Sequence, residues 1–226
     1  MQKNNDIIKN AQGIKNNIQE LCAKIGRNPN DIIILAATKT VSADKINELS
    51  SVDIYNAGEN RVQELLAKYD AVSSIIWHFV GTLQTNKVKY IIDKVALIHS
   101  VDRENLAIEL NRQCQKINKI MPILLQINAG EEESKSGIRV RELEALYNFI
   151  KLNCPFLEIQ GFMPVLPYKA DENLYKQMQQ IFNRYISKDK NIKFLSMGMS
   201  DDYLIAIKYG ATIVRLGSCL FGERSY

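Results

Sequence analysis

Three short segments carry residues that can do covalent and anion-binding chemistry. The first is the apolar run IIILAATK, residues 32–39, which ends in Thr38 and Lys39. If the run is a strand, Lys39 shares a face with Ile33, Leu35 and Ala37, because alternate residues point to one side. A lysine amine in an enclosed, partly apolar site loses its proton readily and makes a good Schiff-base nucleophile. The plain alternative is a lysine that reaches from a strand end into solvent.

The other two segments are Gly198-Met199-Ser200 and Gly217-Ser218. Each joins glycine, which lets a backbone approach closely, to small hydroxyl donors. Ser200-Asp201-Asp202 also reads as a helix start, whose free N–H groups suit an anion. The alternatives are that Ser200 only caps its helix and that Gly217 only turns the chain. Two such loops together with Lys39 suggest a phosphorylated carbonyl ligand, its phosphate held by Ser200, Ser218 and the amides around Met199 and Gly217.

Arg215 alternates in step with Ile213 and Gly217. An inward arginine can donate to a pyridine nitrogen and keep it unprotonated, since arginine does not give up its own proton. A salt bridge to an acidic residue is an equally good reading. His78, between Trp77 and Phe79, reads more simply as a core histidine than as a ligand-binding one. Cys22, Cys114, Cys154 and Cys219 form no C-x-x-C pair and read as small core residues.

The elements that must position these residues follow from an alternation along the chain. Short apolar runs fall at 32–39, 52–59, 74–81, 96–101, 121–128, 157–164, 193–200 and 212–218. Near-continuous apolar runs are the pattern of parallel strands covered on both faces. Between them lie helix-favouring segments at 5–25, 43–50, 60–70, 84–94, 102–118, 140–152, 172–187 and 201–209. Ser42, Asp102 and Asp171 stand where N-caps belong. The order α(βα)₇β, with eight strands, predicts an α/β fold of one domain spanning 1–226, a closed (β/α)₈ TIM-type barrel. An open doubly wound sheet is disfavoured because no G-x-G-x-x-G follows the first strand. In such barrels the site lies at the C-terminal strand ends, where Lys39, Asn60, Met163, Ser200 and Ser218 all fall.

Composition sets the outer limits. The chain has 226 residues, 46% hydrophobic and 24% charged, with a formal net charge of +4. The basic residues are spread out, so charge gives no argument for nucleic acid. No apolar run is long enough to span a membrane, and Met1–Lys15 is too polar for a signal peptide. These features predict a reduced, cytoplasmic, soluble protein without a zinc site. The lone tryptophan and the lack of an obvious apolar patch point to a monomer.

Several segments resemble one known family. They are Lys39 in LAATKT, GENRVQE (58–64), WHFVGTLQTNK (77–87), HSVDR (99–103), ESKSGI (133–138), GFMP (161–164) and the stretch LSMGMSDDYLIAIKYGATIVRLGSCLFGER (195–224). Together they resemble the pyridoxal-phosphate homeostasis proteins, the YggS/PROSC (PLPBP) family, from about residue 5 onward. The resemblance implies a fold-type-III barrel like the N-terminal domain of alanine racemase. It implies pyridoxal 5'-phosphate as cofactor, with Lys39 forming the internal aldimine. It places Ser200, Gly217 and Ser218, with Met199, at the phosphate, Arg215 at the pyridine nitrogen, and Asn60 and Met163 in the pocket lining. The family's role is to bind, store or deliver the cofactor in vitamin B6 and amino-acid homeostasis, with PLP-dependent apoenzymes as recipients. Ala57 stands where the family usually has Phe, and Ser218 where it usually has Thr; neither change removes a covalent or charged contact.

Two other functions compete with the carrier reading. A small amino-acid racemase needs acid–base groups on both faces of the substrate. In alanine racemases a second domain of the partner subunit supplies one of them, and this chain is expected to lack it. A phosphate-binding barrel enzyme would use the same loops without a Schiff base, and would be colourless.

Overall fold

The structure, a computed structural model, describes residues 7–222. Residues 5 and 6 of the expected first helix lie outside that range, as do Glu223 and Arg224 of the C-terminal motif. Eight strands form one parallel sheet: β1 (Ile33–Ala37), β2 (Asn56–Glu59), β3 (Ile76–Phe79), β4 (Leu97–Val101), β5 (Met121–Asn128), β6 (Leu157–Val165), β7 (Phe194–Leu195) and β8 (Ile213–Leu216). Each pairs with its neighbour in sequence, and β1 also pairs with β8. The last seam is closed by Ser196 opposite Ile213, with Thr212 N–H donating to Leu195 O and Met197 N–H to Ile213 O, each at 3.0 Å. The sheet is therefore a barrel, as the alternation predicts.

The helices are α1 (Ile7–Ile25), α2 (Ala43–Asn47), α3 (Val62–Tyr69), α4 (Glu104–Lys116), α5 (Leu143–Asn153), α6 (Glu172–Ile186), α7 (Tyr203–Lys208) and α8 (Ser218–Phe221). Two apolar clusters show how strand alternation is used. Ala36, Ala57, Phe79, Ile98, Ile123 and Leu216 pack outward beneath the helices. Leu35, Leu97, Leu124, Met163 and Ile213 form a separate cluster that fills the barrel. Leu35 and Ile213 fix the inward parity of β1 and β8, so Lys39 and Arg215 belong to the interior series.

Some local expectations are corrected. Segment 84–94 is not an α-helix but a 3₁₀ segment, Thr85–Tyr90. Its buried Val88 and the buried Ile91 that follows it stand three apart, a spacing a three-residue turn already satisfies. Segment 43–50 splits into α2 and a 3₁₀ turn that ends at Asp53 with φ 50°. Asp102 does not cap α4; the N-cap is Arg103, with which Asp102 makes an ion pair at 2.6 Å. Ser42 sits at the N-cap of α2 without a side-chain bond, whereas Asp171 caps α6 by accepting from the Asn173 amide at 2.7 Å. The four-residue α8 after β8 has no counterpart in the sequence reading.

Candidate functional site

Lys39 lies in the turn two residues past the end of β1, in sequence step with the inward Leu35, and is half-buried. Its amine makes no hydrogen bond or ion pair with any described residue. The backbone on either side of it is pinned. Thr38 N–H donates to Gly58 O at 3.1 Å, and Thr38 Oγ1 donates to the Glu59 carboxylate at 2.7 Å. Lys68, in the last turn of α3, donates to Thr38 O at 2.9 Å and to Glu59 at 2.6 Å. Thr40 is left-handed, with φ 63°, a conformation that costs a non-glycine residue on the order of 1 kcal/mol. Its N–H is held by Glu64 of α3 at 3.0 Å. Burial opposes ionisation of Glu64, but the Thr40 amide and the Lys68 ammonium together hold its carboxyl below the usual range.

These anchors separate Lys39 from other lysines near the strand ends. Lys68 is bound to two carboxylates, and Lys135 to Glu132 and Leu166 O. Both are fixed as donors, while Lys39 is held by its backbone alone. Glu59 is fully buried, and its Oε2 has no partner. Glu59, Glu64 and Lys68 did not stand out in the sequence as site residues, although Glu59 and Glu64 lie within GENRVQE.

The two loops meet as expected, but with a different hydrogen-bond pattern. Ser200 does not cap α7, whose N-cap is Asp202. Its Oγ instead accepts from the Gly217 and Cys219 amides, at 3.2 and 3.3 Å, at the start of α8. The Met199 amide is also taken, by Asp202 Oδ1 at 2.6 Å, and the Met199 side chain is exposed. Asp202 is braced in turn by Tyr175 of α6, whose hydroxyl donates to Oδ2 at 2.5 Å. The donors left toward a ligand are the Ser218 hydroxyl and the Ser200, Asp201 and Ser218 amides, none of which donates to a described residue, while the Ser200 hydroxyl stands beside the Cys219 thiol. Gly198 is required here: its φ is 93°, and a Cβ would lie 2.6 Å from Ala206 Cβ.

Arg215 makes no salt bridge with a described residue. Its Nη1 donates to Ser196 O at 2.6 Å and to Ser196 Oγ at 3.1 Å. Burial lowers its pKa to about 10, partly offset by Asp202, so the guanidinium stays charged at neutral pH. Asn60 directly follows β2, with its Oδ1 buried and unpartnered among the described residues. Gly81 packs against the Asn60 backbone so closely that a Cβ would stand 2.1 Å from the Asn60 carbonyl oxygen. Met163 is 3% exposed within the barrel-filling cluster, so it lies in the packed floor rather than on the open rim. His78 and His99 are buried inside the barrel and bonded to each other. No group of three His, Cys, Asp or Glu among the described residues could hold a metal. No helix of the described residues is long and apolar enough to cross a membrane.

Comparison with known proteins gives the family and the fold. Residues 10–225 match the family model described as alanine racemase, N-terminal domain. The chain is 42% identical over 216 residues to a pyridoxal phosphate homeostasis protein of Aquifex aeolicus, covering 92% of this chain and 94% of the relative. It superposes on PipY of Synechococcus elongatus, solved with PLP bound, with a TM-score of 0.77 and 27% identity, covering 91% of this chain and all of that one. An alanine racemase of Clostridium difficile shares the fold, with a TM-score of 0.70 at 15% identity. That match covers 97% of this chain but 58% of the racemase.

Proposed function

Since the chain belongs to the pyridoxal phosphate homeostasis proteins, a family built on the alanine racemase N-terminal domain, we propose that it binds pyridoxal 5'-phosphate at the C-terminal mouth of its barrel and holds it for transfer. The observation that carries this reading is the Lys39 amine, unpaired on the interior series while its backbone is fixed by α3 and β2. The residues present fit the group. A partner-free amine, a cluster of unused amide and hydroxyl donors, a buried arginine and an unpartnered Asn60 Oδ1 answer its aldehyde, phosphate, ring nitrogen and ring hydroxyl. When bound, the cofactor supplies an electrophilic aldehyde on an electron-withdrawing ring.

The chain's own residues then do the following. Lys39 bonds the aldehyde carbon as a Schiff base, with loss of water. Ser200, Ser218 and the amides of Ser200, Asp201 and Ser218 hold the phosphate. Arg215 donates to the ring nitrogen and keeps it unprotonated, which weakens the ring as an electron sink. That arrangement favours holding the cofactor over turning over a bound amino acid. Transfer to apoenzymes that need the cofactor completes the homeostatic role. A visible spectrum of the full chain mixed with pyridoxal phosphate tests the reading. A new band that borohydride abolishes is expected, and a protein that stays colourless would rule it out.

The racemase alternative rests on the shared fold alone. The homeostasis relative matches this chain along nearly the whole of both lengths, whereas the racemase matches over little more than half of its own.

A further inference from the structure

The barrel interior carries a polar chain that the apolar pattern of the strands does not call for. Five side chains from five strand positions are joined in series. Arg215 Nη1 lies 3.1 Å from Ser196 Oγ, Ser196 Oγ lies 3.0 Å from His99 Nδ1, His99 Nε2 lies 2.9 Å from His78 Nδ1, and His78 Nε2 lies 3.1 Å from Asn56 Oδ1. The inner members are buried: Ser196 and His99 fully, His78 to 5% exposure. A buried polar group left unpaired is costly, so five in one interior are tolerated because each finds a partner.

Partner chemistry gives the chain one direction. Arg215 can only donate, so Ser196 Oγ accepts from it. The Ser196 hydroxyl proton is then directed at His99 Nδ1, which accepts. His99 must carry its proton on Nε2 and donate to His78 Nδ1. His78 likewise carries its proton on Nε2 and donates to the Asn56 carbonyl oxygen. In this arrangement a proton added at His78 Nδ1 would stand against the His99 Nε2–H, and one added at His99 Nδ1 would force the Ser196 hydroxyl to turn away. Arg215 is the charged group that bears on the pair, with Asp202 beyond it, and Asn56 and Ser196 do not titrate. Burial holds His78 at about 4, and burial, with His78 and Arg215 adding to it, holds His99 well below the ordinary imidazole value. Both rings are neutral at physiological pH.

We propose that Ser196, His99 and His78 are positioning residues that lock Arg215 as a donor toward the cofactor's ring nitrogen, so that the nitrogen stays unprotonated. The inference rests on the cofactor reading above. The chain spends one guanidinium nitrogen on Ser196 and leaves Nε and Nη2 without a partner among the described residues. A hydroxyl free to rotate could offer Arg215 its proton instead of its oxygen; His99 removes that freedom.

The test uses nitrogen NMR on the full chain. The chain has two histidines, so the labelled rings give two sets of signals. Without cofactor, both are expected as neutral rings protonated on Nε2 at pH 7. With ring-¹⁵N pyridoxal phosphate bound, the wild-type ring signal is expected at the unprotonated position. It should shift toward the protonated position in Ser196→Ala and in His99→Phe, and Ser196→Ala should bind the cofactor about tenfold more weakly, ~1.4 kcal/mol. Leu97→Ala opens an apolar cavity in the same interior and should leave the signal in place, which separates positioning from mere packing. If His99→Phe fails to fold, Ser196→Ala still decides. A histidine protonated on Nδ1, or variant ring signals equal to wild type, overturns this inference and leaves cofactor binding intact. A wild-type chain that takes up no cofactor overturns the reading beneath it as well.

Discussion

The hydroxyl oxygen of Ser200 lies 3.2 Å from the Gly217 amide nitrogen and accepts its hydrogen bond, although the two residues follow different strands. Ser200 thereby ties the loop after β7 to the start of α8, and its own proton has only the weak acceptor sulfur of Cys219 beside it. Hydrogen bonds to a charged group contribute ~1.5–3 kcal/mol each. Ser200→Ala with Ser218→Ala removes two such donors and loosens the tie. The double variant should bind pyridoxal phosphate at least a hundredfold more weakly, ~2.7 kcal/mol, with pyridoxal little affected. Equilibrium titration of both ligands checks this. Wild type that binds the two within threefold would place the phosphate elsewhere.

Lys39 should be the residue that borohydride fixes. Lys68 and Lys135 are near neighbours of the strand ends but are bound to carboxylates. Peptide mass spectrometry after reduction should find the pyridoxyl group on Lys39 alone. Lys39→Ala should lose the covalent bond and retain weaker, phosphate-driven binding. Label on Lys68 or Lys135 in the wild type would refute the assignment.

The barrel is legible because each strand is an apolar run and side-chain alternation sets which face each residue takes; Leu35 and Ile213 point inward, in step with Lys39 and Arg215. The loop residues were legible as types but not as bonds. Ser200 looked like the cap of the helix that follows it, since Ser-Asp-Asp is a cap signal. It serves a helix seventeen residues on, because the closed seam brings β7 and β8 side by side. Glu59 and Lys68 were hidden for a similar reason. Glu59 stands at the end of a strand and Lys68 on a helix flank, and the burial that makes the pair matter exists only after α3 packs on β2.

That pair makes its own prediction. Lys68 neutralises a fully buried carboxylate at 2.6 Å. Lys68→Met leaves Glu59 charged and unpaired, which should cost ~3–5 kcal/mol. Adding Glu59→Gln removes the orphaned charge and should recover much of that loss. Denaturant midpoints of the three variants measure it. Because Lys68 also holds Thr38 O, Lys68→Met should slow covalent capture of pyridoxal by Lys39, followed as the rise of the visible band. A double variant no more stable than Lys68→Met would show that Glu59 is not the source of the loss.

Amino-acid turnover should be absent or very slow. Ring-nitrogen protonation strengthens the cofactor as an electron sink, and Arg215 opposes it. Chiral chromatography of L- and D-amino acids incubated with the loaded protein should show no racemisation approaching the ~1–10³ s⁻¹ of ordinary enzymes. Rates in that range would favour the racemase reading.

The buried histidines predict how stability depends on pH. His78 has its pKa lowered to about 4 by burial, against about 6.5 in an unfolded chain. Between those values the unfolded state binds more protons than the folded state, so stability rises with pH. The contribution is fully present above about pH 6.5 and is lost as pH falls toward 4. At pH 5 the unfolded ring has gained its proton and the folded ring has not, which costs ~2 kcal/mol from His78 alone. His99 shifts in the same direction and adds to the loss. Guanidinium unfolding at pH 7.5 and pH 5.0 should show the folded state weaker at the lower pH. In His78→Asn the difference should shrink, because only His99 remains to be protonated on unfolding. A difference of the same size in wild type and His78→Asn would mean that His78 is already charged in the folded barrel. The one-way chain from Arg215 to Asn56 would then be wrong, since a charged His78 has no acceptor nitrogen to offer His99.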